Sequence, residues 1–459
     1  MKRVEMKERA PLERAKDFNP VTLGYTKEEA VKEASRCIQC KNPLCVEGCP
    51  VGIRIPEFIK KLSEDDFAGA VRVLKDTNDL PAICGRVCPQ ETQCEARCII
   101  GKKGQPVAIG DLERFVGDWA IGAGMSAGES VSKQKRPKGR KAAIIGSGPA
   151  GLTCAGNLAK AGLDVTVFES LHLFGGVLRY GIPEFRLPGR IIESELRYLK
   201  SLGINFVSNV LVGRTLTIDE IMKEYGLIFI GTGAGLPNFL GVPGENFNHI
   251  YSANEFLVRL NMMHAFDFPQ YDTPIYIGKK VVVVGGGNTA MDAARSALRL
   301  GAEEVTLVYR RSENEMLARR VEIAHAREEG VKFMLLTQPV EFLGNEKGFV
   351  RAMECVKMEL CRPDDAGRCS VKPVAGSNFI IPVDMVIVAV GLLPNPVVPS
   401  LTPELKTDGH GYLVVDSDLM TAVPGIFAGG DIVGGDTVIE AMGMAKKASE
   451  AMLRYAADK

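Results

Sequence analysis

The 459-residue chain has no excess of charge of either sign: 56 Lys and Arg offset 56 Asp and Glu, so the net charge is +0 with neutral His. A balanced surface offers no electrostatic case for binding nucleic acid. Long apolar runs are missing as well. No uninterrupted stretch approaches the ~18–20 residues that a membrane span needs, because Gly or a charge breaks each candidate. The opening residues, MKRVEMKERAPLERAKD, hold no apolar core of a secretory signal, which sets the expectation of a cytoplasmic protein. Histidine is scarce: five residues, scattered, none of them forming a catalytic triad or a metal pair.

What is present points to cofactors. At this length two or three domains are expected, and 46% hydrophobic residues supply ample cores. Twelve cysteines are many for a cytosolic chain, and eight of them fall between Cys37 and Cys98. They form two runs, Cys37-x2-Cys40-x4-Cys45-x3-Cys49-Pro50 and Cys84-x3-Cys88-Pro89-x4-Cys94-x3-Cys98. Thiolates a few residues apart can converge on one metal centre, and a following Pro shapes the loop around an iron–sulfur cluster. Structural zinc sites share the CxxC element, but the paired Cys-Pro steps and uneven spacing favour two 4Fe–4S clusters. Helical apolar spacing covers Glu28–Arg36 and Ile55–Leu74, so the first ~135 residues read as a separate, mostly helical domain. The small, polar and basic stretch Gly122–Lys141 reads as a linker.

Two βαβ units follow. In the first, an apolar strand (Ala142–Ile145) runs into GSGPAG at Gly146–Gly151, then a helix from Pro149 to Lys160 and a strand from Asp164 to Phe168 ending on Glu169. Gly146 allows the tight turn, Gly148 admits a pyrophosphate and Gly151 permits close helix–strand packing. Pro149 and Ala150 open the helix, whose free N–H groups and positive dipole end face the phosphates. Glu169 stands where a carboxylate takes ribose hydroxyls. The second unit, Val281–Arg311, repeats the pattern with Gly285, Gly287, Asn288, Thr289 and Ala290. Its second strand ends on Arg310 and Arg311, suited to the 2′-phosphate of NADP where an acid would suit NAD.

Other segments fit around a flavin. Leu173–Pro188 is a Gly- and Pro-rich loop (Gly175, Gly176, Leu178 and Arg179) that brings backbone to the flavin ring. Leu227–Ile230 leads into Gly231, Thr232 and Gly233, where the chain leaves the first nucleotide domain. Val383–Val390 leads into Gly391, where it returns. Near the end, a strand at Ile426–Ala428 precedes Gly430 and Asp431 and a helix from about Thr437, whose N-terminus can support negative charge on a reduced flavin.

Together these motifs resemble the NADPH-dependent glutamate synthase small-subunit family over nearly the whole chain. That family includes the large subunit of the electron-bifurcating NADH-dependent reduced ferredoxin:NADP oxidoreductase, and a related module forms the N-terminal half of dihydropyrimidine dehydrogenase. The stretches YGIPEFRLP, YDTPI and GGGNTAMDAARSALRLGAEEVTLVYRRSENEM look closest to the bifurcating branch. The resemblance implies an α/β fold: a helical domain with two 4Fe–4S clusters (1–135), a discontinuous FAD domain (136–275 and 391–459) and an NADP domain (276–390). It implies one cluster on Cys37, Cys40, Cys45 and Cys98, and another on Cys49, Cys88 and Cys94. The eighth ligand falls in PVAIGDLERF, where the dihydropyrimidine enzyme places a glutamine and this chain has Glu113. Cys84 is left to pack, Cys154 lies in the first nucleotide-domain helix, and Cys355, Cys361 and Cys369 fall in a hairpin region without metal spacing.

Hydride transfer between NADP(H) and FAD demands no acid–base or nucleophilic residue, and the clusters take electrons singly. Leu173–Pro188 contains no cysteine pair, against a disulfide reductase, and Met1-Lys2 provides no N-terminal cysteine for an amidotransferase. Two roles stay open. One is a bifurcating catalytic subunit that exchanges electrons with ferredoxin and a flavin/2Fe–2S subunit. The other is the electron-input subunit for a glutamate synthase large chain. Protein purified without oxygen is expected to carry about eight iron and eight sulfide per chain, as two four-iron clusters require. Stoichiometric zinc without sulfide, by metal and sulfide analysis, would assign the cysteines to zinc.

Overall fold

The computed structural model describes residues 2–125, 140–363 and 369–458. Most of the expected linker, 126–139, lies outside the described residues.

The N-terminal region is helical because its apolar residues recur on one face of short, capped segments. Thr26 and Glu29 form a capping box that starts the helix Lys27–Ala34. The predicted continuous helix over Ile55–Leu74 is instead two helices, Ile55–Ser63 and Phe67–Thr77. Asp65 takes a left-handed conformation (φ 60°), and the Asp66 side chain accepts the Gly69 N–H at 2.8 Å, so the acidic turn caps a new helix where apolar spacing suggested continuity. Helices Pro81–Val87 and Ile109–Gly122 complete this layer.

Two parallel five-stranded sheets hold the nucleotide-binding motifs. The first has the order Ile426–Ala428, Leu227–Ile230, Lys141–Ile145, Asp164–Phe168, Asn205–Val207. The second runs Lys332–Leu335, Glu304–Tyr309, Lys280–Val284, Met385–Val388, Ile250–Ser252. The expected boundary at 275/276 put Ile250–Ser252 with the flavin part, yet this strand pairs with Met385–Val388 in the second sheet. Three residues are too short to signal their partner, and parallel pairing here joins strands more than a hundred residues apart. The segments leaving and re-entering the first nucleotide unit, Ala234–Pro237 and Leu392–Pro394, pair with each other as an antiparallel ribbon. Antiparallel strands Thr337–Gly344, Val350–Pro363, Cys369–Pro373 and Phe379–Pro382 form the expected hairpin region.

The helical region shares its core with the first sheet's unit. Phe58, Leu80, Ile83 and Leu112 belong to one apolar cluster with Ile144, Leu158, Phe229, Met442 and Ala445. A separate cluster, with Val281, Met291 and Leu307, fills the second sheet's unit.

Buried charge ties the second unit to the rest. Glu329 accepts hydrogen bonds from Arg14 Nε (2.9 Å), Arg295 Nη2 (2.7 Å) and Arg299 Nη1 (2.7 Å). Arg186, from the PEFR stretch, pairs with Asp292 at 2.5 Å and Glu322 at 3.1 Å. Arg299 also lies over the Phe185 ring, 4.0 Å from its centroid. Removing the carboxylate charge leaves Arg299 without an ion pair among the described residues and takes one partner from Arg14 and Arg295, which keep Glu8, Glu328 and Glu322; breaking such buried pairs costs about 3–5 kcal/mol. Glu329→Gln is therefore expected to lower the urea and thermal midpoints of unfolding. Burial opposes ionisation of Glu322, but Arg186 and Arg295 outweigh it and hold its carboxyl at about 2. Burial likewise opposes charge on Glu329, and hydrogen bonds from Arg295 and Arg299 hold it far below the carboxylate range. Both contributions are thus full at neutral pH, persist down to the ordinary glutamate pKa of ~4.3, and are lost progressively below it, that of Glu322 through about 2 and that of Glu329 lower still. In Glu329→Gln the loss of stability between pH 4 and pH 2 should be shallower than in the native chain.

Candidate cofactor and cluster sites

The first fingerprint folds as its spacing requires. Gly146 has φ 98°, and a Cβ on it would come 2.5 Å from Gly231 O. A Cβ on Gly151 would lie 1.9 Å from Gly146 O, whereas one on Gly148 would meet nothing within 4 Å. Two glycines are thus needed for packing, and the third faces open space at the N-terminus of Pro149–Lys160, a cradle suited to a pyrophosphate. Glu169 is buried at the strand end: Ser147 N–H and Oγ donate to its Oε2 (3.0 and 2.5 Å), and Leu171 N–H donates to Oε1 (3.0 Å). Ser147, the variable position of the fingerprint, also accepts the Gly175 N–H at 3.0 Å and so locks the flavin loop onto the first turn. Gly176 crosses there, because a Cβ on it would lie 2.7 Å from Gly148 Cα. Leu178 is buried, while the Arg179 guanidinium bonds Glu193 on the next helix instead of the fingerprint.

Other expected flavin contacts converge on this strand end. Gly231 N–H donates to Ile145 O at 2.8 Å. Thr232 Oγ1 is buried with no hydrogen-bond partner among the described residues, as a ligand-facing hydroxyl would be. Gly233 and Gly391 both have positive φ, 68° and 103°, on the crossing ribbon's flanks. Gly430 sits against the fingerprint helix, where a Cβ would come 3.1 Å from Ala150 Cβ. Asp431 follows it; burial and nearby Asp436 push its carboxyl up to about 6. Burial, with the carboxylates of Asp431 and Glu169 nearby, pushes Tyr180 up to about 12. Thr437 caps Val438–Ala457 by accepting the Glu440 N–H.

The second fingerprint has the same construction. A Cβ on Gly285 would come 2.3 Å from Ala389 O, and Gly287 faces open space. Ala290 is fully buried, Thr289 is exposed, and Asn288 Oδ1 accepts the Arg319 N–H at 3.0 Å. Arg310 is exposed, and neither Arg310 nor Arg311 forms an ion pair among the described residues. Arg311 Nε is buried without a hydrogen-bond partner, a donor left for an anion. Arg319, which no short motif announces, reaches back to the helical region through Arg86 O (2.7 Å) and Gln90 Oε1 (2.8 Å).

The eight expected cluster donors sort into two cavities. Cys37, Cys40, Cys45 and Cys98 line one, with Ile55 and Ile109 in its wall. Cys49, Cys88, Cys94 and Glu113 line the other, together with Gln90, Ile439 and the same Ile55 and Ile109. Burial pushes Cys45 up to about 12 and Cys49 up to about 11. Such surroundings penalise bare thiolates, so a cationic iron centre is what would hold them ionised. No three His, Cys, Asp or Glu side chains among the described residues are placed to hold a single metal ion. Glu113 is buried, its carboxyl pushed up to about 8 by burial, and Asn78 Nδ2 donates to its Oε1 at 2.7 Å. Cys84 stands outside the second cavity's lining, 3.5 Å from Met442 Sδ. Cys154 and Cys355 are buried core residues.

Residues 14–125 match the family described as dihydropyrimidine dehydrogenase domain II, 4Fe-4S cluster, and residues 140–451 match the pyridine nucleotide-disulphide oxidoreductase family. The chain is 36% identical over 447 residues to the glutamate synthase (NADPH) small chain of Escherichia coli (strain K12), covering 96% of this chain and 94% of that one. It is 37% identical over 435 residues to the NADP(+)-dependent formate dehydrogenase subunit beta of Moorella thermoacetica, covering 90% of this chain and 59% of that one. Among solved structures, Mycobacterium tuberculosis FprA in complex with NADPH shares the fold, with a TM-score of 0.59 and 21% identity over 70% of this chain and 85% of FprA. No helix among the described residues is long and apolar enough to cross a membrane. The chain belongs to the glutamate synthase small-chain family: an oxidoreductase that joins a 4Fe–4S cluster domain to a pyridine nucleotide-disulphide oxidoreductase domain.

Proposed function

We propose that this chain is an electron-transfer subunit in which FAD exchanges hydride with NADP(H) and single electrons with two 4Fe–4S clusters. The cofactors are FAD, NADP and 4Fe–4S clusters, held in a flavin part, a nucleotide part and a helical cluster part. The observation that carries the reading is the course of the helix Val438–Ala457. Its capped N-terminus follows Gly430 and Asp431 at the flavin segment, and within its first turn Ile439 lines the cavity of Cys49, Cys88, Cys94 and Glu113. Farther along, Lys446 Nζ donates to Val51 O at 2.8 Å, and a Cβ on Gly443 would come 2.8 Å from Pro50 O. Ile55 and Ile109 then separate this cavity from that of Cys37, Cys40, Cys45 and Cys98. Three redox sites thus follow one another through packed side chains.

In this scheme the residues bind, orient and exclude water. Gly148 and Gly287 admit the two pyrophosphates, Glu169 the flavin-side ribose, and Arg310 and Arg311 the 2′-phosphate of NADP. FAD supplies the two-electron to one-electron conversion when bound. Glu113 serves as the eighth cluster ligand, with Cys84 packing beside it.

For the partner, the resemblance of YGIPEFRLP and the second fingerprint supports a bifurcating subunit, working with a flavin/2Fe–2S subunit and ferredoxin. The near-complete mutual coverage with glutamate synthase small chains supports the other reading, in which a large glutamate-forming chain receives the electrons. Purifying the native assembly and identifying the second chain decides between them.

Two substitutions test the sites. Converting Arg310 and Arg311 to Ala should weaken NADPH binding, since hydrogen bonds to charged groups contribute ~1.5–3 kcal/mol, or roughly 10- to 100-fold in Kd. NADH binding, measured by the same flavin reduction titration, should hold; equal loss for both would remove the NADP assignment. Cys84→Ala should retain both clusters by iron count and EPR, whereas Glu113→Ala should lose or alter one. The reverse pattern would make Cys84 the ligand.

A further inference from the structure

The proposed ligand Glu113 is held by a single buried side chain that none of the cofactor motifs includes. Asn78, 1% exposed, ends the helix Phe67–Thr77, and Leu80 precedes the helix Pro81–Val87 that carries Cys84. Its Oδ1 accepts the Leu80 N–H at 2.9 Å and lies 3.8 Å from Cys84 Sγ. Its Nδ2 donates to Glu113 Oε1 at 2.7 Å. The orientation of this amide is forced. A flip would set the NH2 group against the Leu80 N–H and leave the oxygen against a carboxylate oxygen, with two donors facing and two acceptors facing.

We infer that Asn78 is the positioning residue for cluster ligation by Glu113: the turn Asn78–Leu80 aims its amide so that one carboxylate oxygen is bound and the other is free for iron. A ligating carboxylate is oriented by its hydrogen-bond partner much as a ligating imidazole is, and such partners tune the metal centre. The turn and the ligand lie 35 residues apart, and the same turn sets the start of the helix leading to Cys88. One segment therefore places both a thiolate and the carboxylate of the second cavity. This inference rests on Glu113 being a ligand.

The test uses the anaerobically purified full chain with its cofactors and reads EPR spectra and cluster midpoint potentials. Asn78→Asp keeps an oxygen for the Leu80 N–H but turns a carboxylate oxygen toward Glu113 in place of the donor. The expected result is loss of the wild-type signal of the Glu113 cluster and a shift of its potential, with flavin content and the other cluster's signal retained. In the Glu113→Ala background Asn78→Asp should change nothing further, since the interaction it removes is already gone. If Asn78→Asp disrupts folding, Asn78→Ser provides a shorter oxygen that can still meet the Leu80 N–H without reaching Glu113, and the same spectral loss is expected. An unchanged signal in the Asn78 variants, beside an altered one in Glu113→Ala, would overturn the positioning role and leave the ligand standing. Equal effects of Asn78→Asp with and without Glu113 would reduce Asn78 to a turn residue. An unchanged signal in Glu113→Ala would remove the ligand itself, and the inference with it.

Discussion

One packing contact fixes how the helical region and the first nucleotide-binding unit meet, because a close-packed interior tolerates little change of volume. The helix Val438–Ala457 lies against the fingerprint helix Pro149–Lys160 on one side and against the Cys49-Pro50-Val51 loop on the other. Small residues recur among its buried positions, with Met442 and Met452 set between them against Cys84 and Cys154. Gly443 admits Pro50 O, while Ala441, Ala445, Ala448 and Ala451 are buried in the core shared by the flavin unit and the helical region. Bulkier side chains would push the cluster cavity away from the helix start that faces the flavin segment, and close-packed interiors absorb such changes poorly. The cluster region is thus an outgrowth of the flavin core.

The second nucleotide unit has its own core and depends on charge for its placement. Arg14 from the N-terminal segment and Arg186 from the flavin loop reach into carboxylates on the helices of that unit. A buried network of this kind contributes orientation more than net stability, because desolvation offsets much of its Coulomb gain. That suits an oxidoreductase with two nucleotide-binding units, which must be held in a fixed mutual orientation. Arg319 adds a third tie, joining Asn288 of the second fingerprint to Gln90 on the wall of a cluster cavity.

Much of this was legible in the residue order. Both βαβ units, their glycines, the GGD turn and the start of the last helix at Thr437 follow from local rules: strand, tight turn, helix N-terminus, cap. The eight cysteines announced two metal centres by spacing. Local signals also misled. Apolar periodicity ran through the Glu64–Asp66 turn as if it were helix, and Ile250–Ser252 was too short to reveal its sheet.

Residue order thus specifies what depends on near neighbours in the chain: the phosphate cradles, the thiolate runs and the pair of arginines after the second βαβ unit. Tertiary structure alone decided how these parts meet. The grouping of Cys98 with the first run and of Glu113 with the second was implied by the family resemblance and not by spacing, whereas the wall of Ile55 and Ile109 shared by the two cavities and the Asn78 amide that turns Glu113 are contacts across tens of residues. So are the ion pairs of Arg14 and Arg186, which span up to 315 residues. Spacing constrains a turn or a helix face because the backbone between is short. It constrains nothing across a long chain, where the partner is chosen by which core closes around it.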